Sequence, residues 1–302
     1  MVEAFLRYIR GEKNYSSNTV MSYKNDLAQF QDYCEREAGG FDPLLVDAAI
    51  VRAWMTALVE SGEAVSTVRR KVCALRSFFR YLKREGKIAG NPLTLVAMPR
   101  AEKKLPVYVR EGQMECLIDD IPFGDDFDGV RDRLMLVMLY TTGMRRSELV
   151  GVADADVDFH GMTIRVTGKG NKQRLIPFGR ELADMMQAYL ACRSREVGKV
   201  DGSAFLVRQS GEALYVGMVY RKVKHYLALV TSISKKSPHV LRHTFATAML
   251  ADGADLTAVK ELLGHSSLSS TEVYTHVSPR EILLNYNRAH PRALKKGGQD
   301  GN

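Results

Sequence analysis

Cysteine is scarce in this chain: four in 302 residues, at Cys34, Cys73, Cys116 and Cys192, spaced 39, 43 and 76 apart. No pair has the close spacing of a zinc or redox motif, so no structural metal is expected and a reducing cytoplasm fits. Long apolar runs are missing too. The longest uncharged stretch, Leu134–Met144, has eleven residues, well short of the roughly 20 that span a bilayer. It reads as a buried helix, and no membrane partner is expected. Arg7 and Arg10 interrupt the apolar residues near the amino terminus before a signal-peptide core can form.

Several catalytic motifs are absent as well. Gly168-Lys169-Gly170 is not a nucleotide-phosphate loop, because position 163 is Thr and Gly170 stands where Ser or Thr is required. Asp154, Asp156 and Asp158 alternate like calcium ligands, but Phe159 and Arg165 occupy the positions that need Gly and Glu. No His-Glu-x-x-His pattern occurs. The expectation is chemistry without ATP, metal or other cofactor.

What the chain does have is positive charge in three places. The net charge of +8 comes from 43 Lys and Arg against 35 Asp and Glu. Arg69–Lys87 holds eight basic residues and one acid, Arg165–Arg180 five and none, and Arg221–Arg242 six and none. Outside these stretches the chain is net negative, at −10. Like charges gathered in three clusters repel one another, and a polyanion relieves the repulsion best, so nucleic acid is the default partner.

The composition is that of an ordinary globular protein, 45% hydrophobic and 26% charged, and the length suits two domains. The first 90 or so residues read as helices. A helix from Ser16 or Ser17 runs to Glu37 and stops at Gly39-Gly40; Pro43 opens another, through Trp54 to Val59. A third carries Val65, Val68, Val72, Leu75, Phe79 and Leu82 at steps of three and four, one apolar stripe. Arg69, Arg76, Arg80, Lys83 and Lys87 follow one position later, giving an adjoining face that can lie along phosphates. Gly90-Asn91-Pro92 ends this part, and residues 95–106 read as a linker. Two strands, Met162–Val166 and Gln173–Phe178, then enclose Thr167–Lys172. Helices are expected at Glu111–Ile118, Arg131–Tyr140, Glu181–Arg195, Val216–Val230, Pro238–Ala251 and Leu256–Leu263. The fold class is therefore mainly α with a small β component: a helical domain over 1–94, the linker, and a mixed α/β domain over 107–302.

Taken singly, the remaining candidates have ordinary structural readings. Arg145 follows a helix end, His239 and Arg242 share one side of a helix, and Tyr274 is one of thirteen tyrosines. Their order is more informative: Arg145, Lys169, His239-x-x-Arg242, His265, Tyr274. In that order the sequence resembles the tyrosine site-specific recombinases, the lambda-integrase-like group, and within them the bacterial Xer recombinases that resolve chromosome dimers. The resemblance rests on Thr142–Leu149, Gly168–Lys172, His239–Thr247, Leu262–His265 and Tyr274, with supporting matches at Ser16–Leu27 and Ala289–Ala293. Arg146 stands where the family usually has an apolar residue; Arg145, directly after Gly143-Met144, is the one assigned to the site.

The resemblance implies that Tyr274 attacks a DNA phosphodiester, leaving a 3′-phosphotyrosyl enzyme and a free 5′-hydroxyl. Arg145, Arg242 and His265 then hold the phosphate oxygens, Lys169 protonates the leaving oxygen and His239 accepts the tyrosine proton. Exchange of one ester for another needs no ATP. The implied partners are duplex DNA with paired recombination sites and a tetramer on that DNA, linked through a carboxy-terminal segment around Glu281–Tyr286. A second Xer-type recombinase and a DNA translocase activator are further partners the family admits. Candidate DNA-binding residues are Arg69, Arg76, Arg80, Lys83, Lys172, Arg221, Lys222, Lys224, Lys235 and Lys236. Two alternatives stay open at this point: an integrase of a mobile element, and a non-catalytic sequence-specific DNA-binding protein.

Overall fold

Four helices build the amino-terminal part: α1 (Val2–Gly11), α2 (Ser17–Glu37), α3 (Ala48–Glu60) and α4 (Val65–Arg84). The structure is a computed structural model that describes residues 1–100, 107–200 and 202–264. Helix α2 starts where Ser16 Oγ accepts the Thr19 amide at 3.3 Å. Helix α3 starts at Ala48, later than Pro43 suggests, because Asp47 supplies the cap by accepting the Ile50 amide at 2.9 Å. The stripe on α4 is buried as its spacing requires: Val68, Val72, Leu75, Phe79 and Leu82 pack with Phe5, Phe30 and Trp54 in one core.

Part of the positive charge of α4 is engaged within this unit, although Arg69 stays exposed. Lys71 is 3% exposed and pairs with Glu63 at 2.6 Å. Arg76 donates to the Val96 carbonyl at 3.1 Å and Arg69 to the Pro99 carbonyl at 2.9 Å. With Leu93 and Val96 buried in the same core, these bonds fasten residues 95–99 to the helices, although the sequence reads them as the start of a linker. The chain divides into two compact units after Lys104.

The second unit is helical around a small sheet. Helix α5 (Glu111–Glu115) continues as a π turn over Cys116–Asp120, and α6 (Phe127–Thr142) is buried on nearly every side. Helix α6 begins four residues before the expected Arg131, because Asp126 caps it through the Gly129 amide at 2.8 Å. Next come α7 (Arg146–Val150) and the strands β1 (Val157–Asp158), β2 (Thr163–Thr167) and β3 (Gln173–Pro177). They pair antiparallel in the order β1-β2-β3, with Ile164 opposite Ile176. Helices α8 (Arg180–Glu196), α9 (Val216–Val230), α10 (Pro238–Ala251) and α11 (Leu256–Leu263) complete the described residues. The protein is mainly α with a small β component. Among the described residues, no helix is long and apolar enough to cross a membrane.

Candidate active site

The site begins where α6 stops. Gly143 has φ +60°, and a Cβ there would come within 2.5 Å of the Phe245 ring and 2.9 Å of Leu263. Glycine is required twice, for the left-handed turn and for the close approach of α10 and the end of α11. The turn sets Arg145 at the N-cap of α7, where its amide donates to Glu148 Oε2 at 2.7 Å and its Nη1 to Glu148 Oε1 at 2.7 Å. The backbone and side chain of Arg145 are thus fixed by the same carboxylate.

Three guanidinium groups meet the carboxy-terminal end of α11. Arg174 Nε donates to the Leu262 carbonyl at 2.7 Å, Arg242 Nη2 to the Leu263 carbonyl, and Arg145 Nη2 to the Gly264 carbonyl at 3.0 Å. A helix end leaves carbonyls without intrahelical partners and carries partial negative charge, so cations are stabilised there. Arg242 also donates to the Gly143 carbonyl at 2.8 Å, joining the α6 turn to α11. Gly264, at the end of this ladder, directly precedes His265 in sequence.

Glu148 offsets the mutual repulsion of these cations. Its side chain is 1% exposed, and both oxygens accept from Arg174, at 2.9 Å each, in a bidentate pair. Burial by itself raises the carboxyl pKa, but the hydrogen bonds from Arg174 and the Arg145 amide outweigh it and hold Glu148 down to about 2. Arg242 is 7% exposed, and its pKa is lowered to about 10, by burial first and by Arg145 second. It therefore keeps its charge at neutral pH.

Arg145, His239, Arg242, His243 and Leu263 line a cavity of about 190 Å³. A second, of about 390 Å³, is lined by Arg146, Tyr220, Lys224, Ser234, Lys235, Lys236, Ser237, Pro238 and His239. His239 lies on both. Partial loss of hydration lowers its pKa, and Arg146, Arg242, Lys235 and His243 lower it further, which favours the neutral ring that can accept a proton. The hairpin between β2 and β3 reaches the same region. A Cβ on Gly168 would lie 3.2 Å from Glu148 Oε1 and 3.9 Å from Arg145 Nη1. Lys169 opens the 3₁₀ turn that follows, with Gly170 at φ +75°.

The structure thus brings Arg145, His239 and Arg242 together and places the backbone of Lys169 one residue beyond Gly168, which passes Glu148 closely enough that a Cβ there would lie 3.2 Å from it. His265 and Tyr274 lie outside the described residues, as does the Glu281–Tyr286 segment. Among the candidate DNA-binding residues, Lys224, Lys235 and Lys236 border the larger cavity, and Arg80, Lys83, Lys172 and Arg221 are exposed. Lys222 is directed elsewhere, pairing at 2.7 Å with Asp132, whose side chain is 1% exposed and also pairs with Arg131. The motif order does not mark Arg174. Its signal is strand alternation: Arg174 shares the inward face of β3 with buried Ile176, and an inward arginine requires a carboxylate.

Comparison with known proteins assigns both parts of the chain to one family. Residues 108–281 match the "Phage integrase family" and residues 2–86 its "Phage integrase, N-terminal SAM-like domain". The chain belongs to the phage integrase family. Its members are the tyrosine recombinases, which break and rejoin DNA. The chain is 40% identical to a tyrosine recombinase XerC from Chlorobaculum tepidum, over 96% of this chain and 94% of that one. It is 37% identical to the tyrosine recombinase XerC of Bacillus subtilis, over 98% and 97%. In fold it is similar to the XerH site-specific recombinase bound to a palindromic difH substrate, with a TM-score of 0.72, 22% identity and coverage of 95% and 94%. The Tn1549 transposon integrase in complex with circular intermediate DNA is similar at a TM-score of 0.70, 24% identity and coverage of 93% and 96%. This recombinase identity supports site-specific DNA recombination as the activity.

Proposed function

We propose that the protein resolves chromosome dimers at cell division, in the cytoplasm, by cutting and rejoining paired sites on duplex DNA. The observation that carries this reading is the convergence of Arg145, His239 and Arg242 on one cavity. Phosphoryl transfer needs charge around the non-bridging oxygens, a proton acceptor for the nucleophile and a donor for the leaving group. Arg145 and Arg242, charged at neutral pH, donate to the phosphate, and His265 adds a third donor. Tyr274 gives its phenolic proton to His239 as its oxygen bonds to phosphorus. The bond to the 5′-oxygen breaks, Lys169 protonates that oxygen, and the 3′-phosphate stays on Tyr274. Attack by a 5′-hydroxyl from the partner site reverses the step and exchanges the strand.

The exposed basic residues Arg80, Lys83, Lys172, Arg221, Lys224 and Lys235, with the half-buried Lys236, contact phosphates and position the duplex without reading its bases. The two parts of the chain, joined by a short linker ending near residue 106, close on DNA as a clamp. Four copies act together through the carboxy-terminal segment, with room for a second Xer-type recombinase and for activation by a DNA translocase. The XerC relatives, similar over nearly their whole length, support the chromosomal role over that of a mobile-element integrase.

The test starts from sheared chromosomal DNA of the source, from which fragments held covalently by the protein are sequenced. A nicked duplex built on that sequence is expected to give a covalent protein–DNA product that Tyr274→Phe abolishes while duplex affinity is retained. Full activity in Tyr274→Phe, or no covalent product from the intact chain, would overturn the reading. Recovered sites lying at one chromosomal locus support dimer resolution; sites at the ends of a mobile element would replace it with the integrase reading.

A further inference from the structure

The cluster beneath the cavity poses an electrostatic problem. Glu148 is buried, carries a full negative charge and touches Arg145 at 2.7 Å. A carboxylate paired with Arg145 alone would neutralise the charge that a DNA phosphate needs. The structure supplies a second cation. Arg174 occupies both oxygens of Glu148 at 2.9 Å with its two terminal nitrogens, while its Nε holds the Leu262 carbonyl at 2.7 Å. All three nitrogens of its fork are used, its side chain is 15% exposed, and it is not among the residues lining the cavity.

We infer that Arg174 is a positioning residue for DNA cleavage: it carries the counter-charge of Glu148, so that the charge of Arg145 remains available to the phosphate. This rests on the recombinase reading of the site and adds a residue to it. Because Arg174 lies on β3, its bonds also run from the hairpin that carries Lys169, through Glu148, to Arg145 and the end of α11. One side chain therefore ties the hairpin that carries Lys169 to Arg145 and to the end of α11. An arginine suits this place because a lysine is a point charge and cannot span a carboxylate fork and a carbonyl together.

The inference is tested by changing the charge of the substrate. Two nicked duplexes of the sequence trapped from chromosomal DNA are compared, one with a normal scissile phosphate and one with a methyl group replacing a non-bridging oxygen, which removes the negative charge. On the normal phosphate, Arg174→Gln is expected to cleave roughly a hundredfold more slowly than the intact chain, the size of effect seen when one stabilising donor is lost. On the neutral substrate the gap should shrink to about tenfold or less, with duplex affinity unchanged. Arg174→Lys, which keeps the charge, should recover about tenfold of the loss. A merely structural role predicts equal losses on both substrates, and that result, or a normal rate in Arg174→Gln, would overturn the inference. Should Arg174→Gln fail to fold, Arg174→Lys, which keeps the charge but not the fork, is compared on the same two duplexes: its loss of about tenfold on the normal phosphate is expected to shrink on the neutral one, and equal losses on both would contradict the assignment. Failure of the intact chain to form a covalent product on either substrate sinks the recombinase reading itself, and this inference with it.

Discussion

His239 is held below the ordinary imidazole pKa of 6.5 by partial loss of hydration and by Arg146, Arg242 and Lys235. If it takes the tyrosine proton, cleavage should hold steady as the pH falls to about 6.5 and decline only below that, where the ring acquires charge. A rate that already drops on acidification from pH 8 to 7 in the intact chain, and not in His239→Gln, would contradict this. Glu148 produces a different pH dependence. Its folded-state pKa of about 2 lies below the ordinary 4.5, so its contribution is fully present above pH 4.5 and is lost as the pH falls toward 2. The shift corresponds to about 3 kcal/mol. Denaturant titrations at pH 6 and pH 3 should show that Glu148→Gln loses much of its deficit at the lower pH. A deficit independent of pH would mean that the carboxylate is not the source of that stability.

Helix ends, more than helix bodies, decide where the site residues sit. The turn at Gly143 brings Arg145 to α7 and gives Arg242 a carbonyl to hold. Gly143→Ala forces a Cβ into Phe245 and Leu263 at a left-handed φ, so a loss of about 2–4 kcal/mol is expected from overpacking and backbone strain together. Equilibrium unfolding checks it, and a change under about 1 kcal/mol would show that the turn relaxes freely. Elements with long periodic stripes are legible in the sequence: α4 buries the stripe its spacing marks, and α9, α10 and α11 fall where expected. Legibility fails where a cap or a short pairing overrides periodicity. Asp47 moves the start of α3 past Pro43, and β1 has only two residues, too few for any alternation to show. For the site, the motif order points to Arg145, His239 and Arg242 because each lies in a short local pattern. Arg174 meets Glu148 across 26 positions of sequence, and nothing local marks that pairing except an arginine on an inward strand position.

Over the whole molecule, charge is sorted between internal and external use. Lys71, Lys222 and Arg131 are spent on buried or partly buried carboxylates, while Arg80 and Lys83 are exposed on α4. Duplex binding should therefore weaken with salt, and removing both side chains as Arg80→Ala with Lys83→Ala should lower the slope of log affinity against log salt by roughly 0.9 for each phosphate no longer neutralised. An unchanged slope would mean that this face of α4 does not meet DNA. The measurement that bears most directly on the account is the identity of the residue joined to DNA. The covalent product formed on the nicked duplex, digested with protease and nuclease, is expected to yield one nucleotide-bearing peptide containing Tyr274, with the phosphate linked through its phenolic oxygen. A nucleotide on any other residue, or a product that leaves Tyr274 unmodified, would contradict the account.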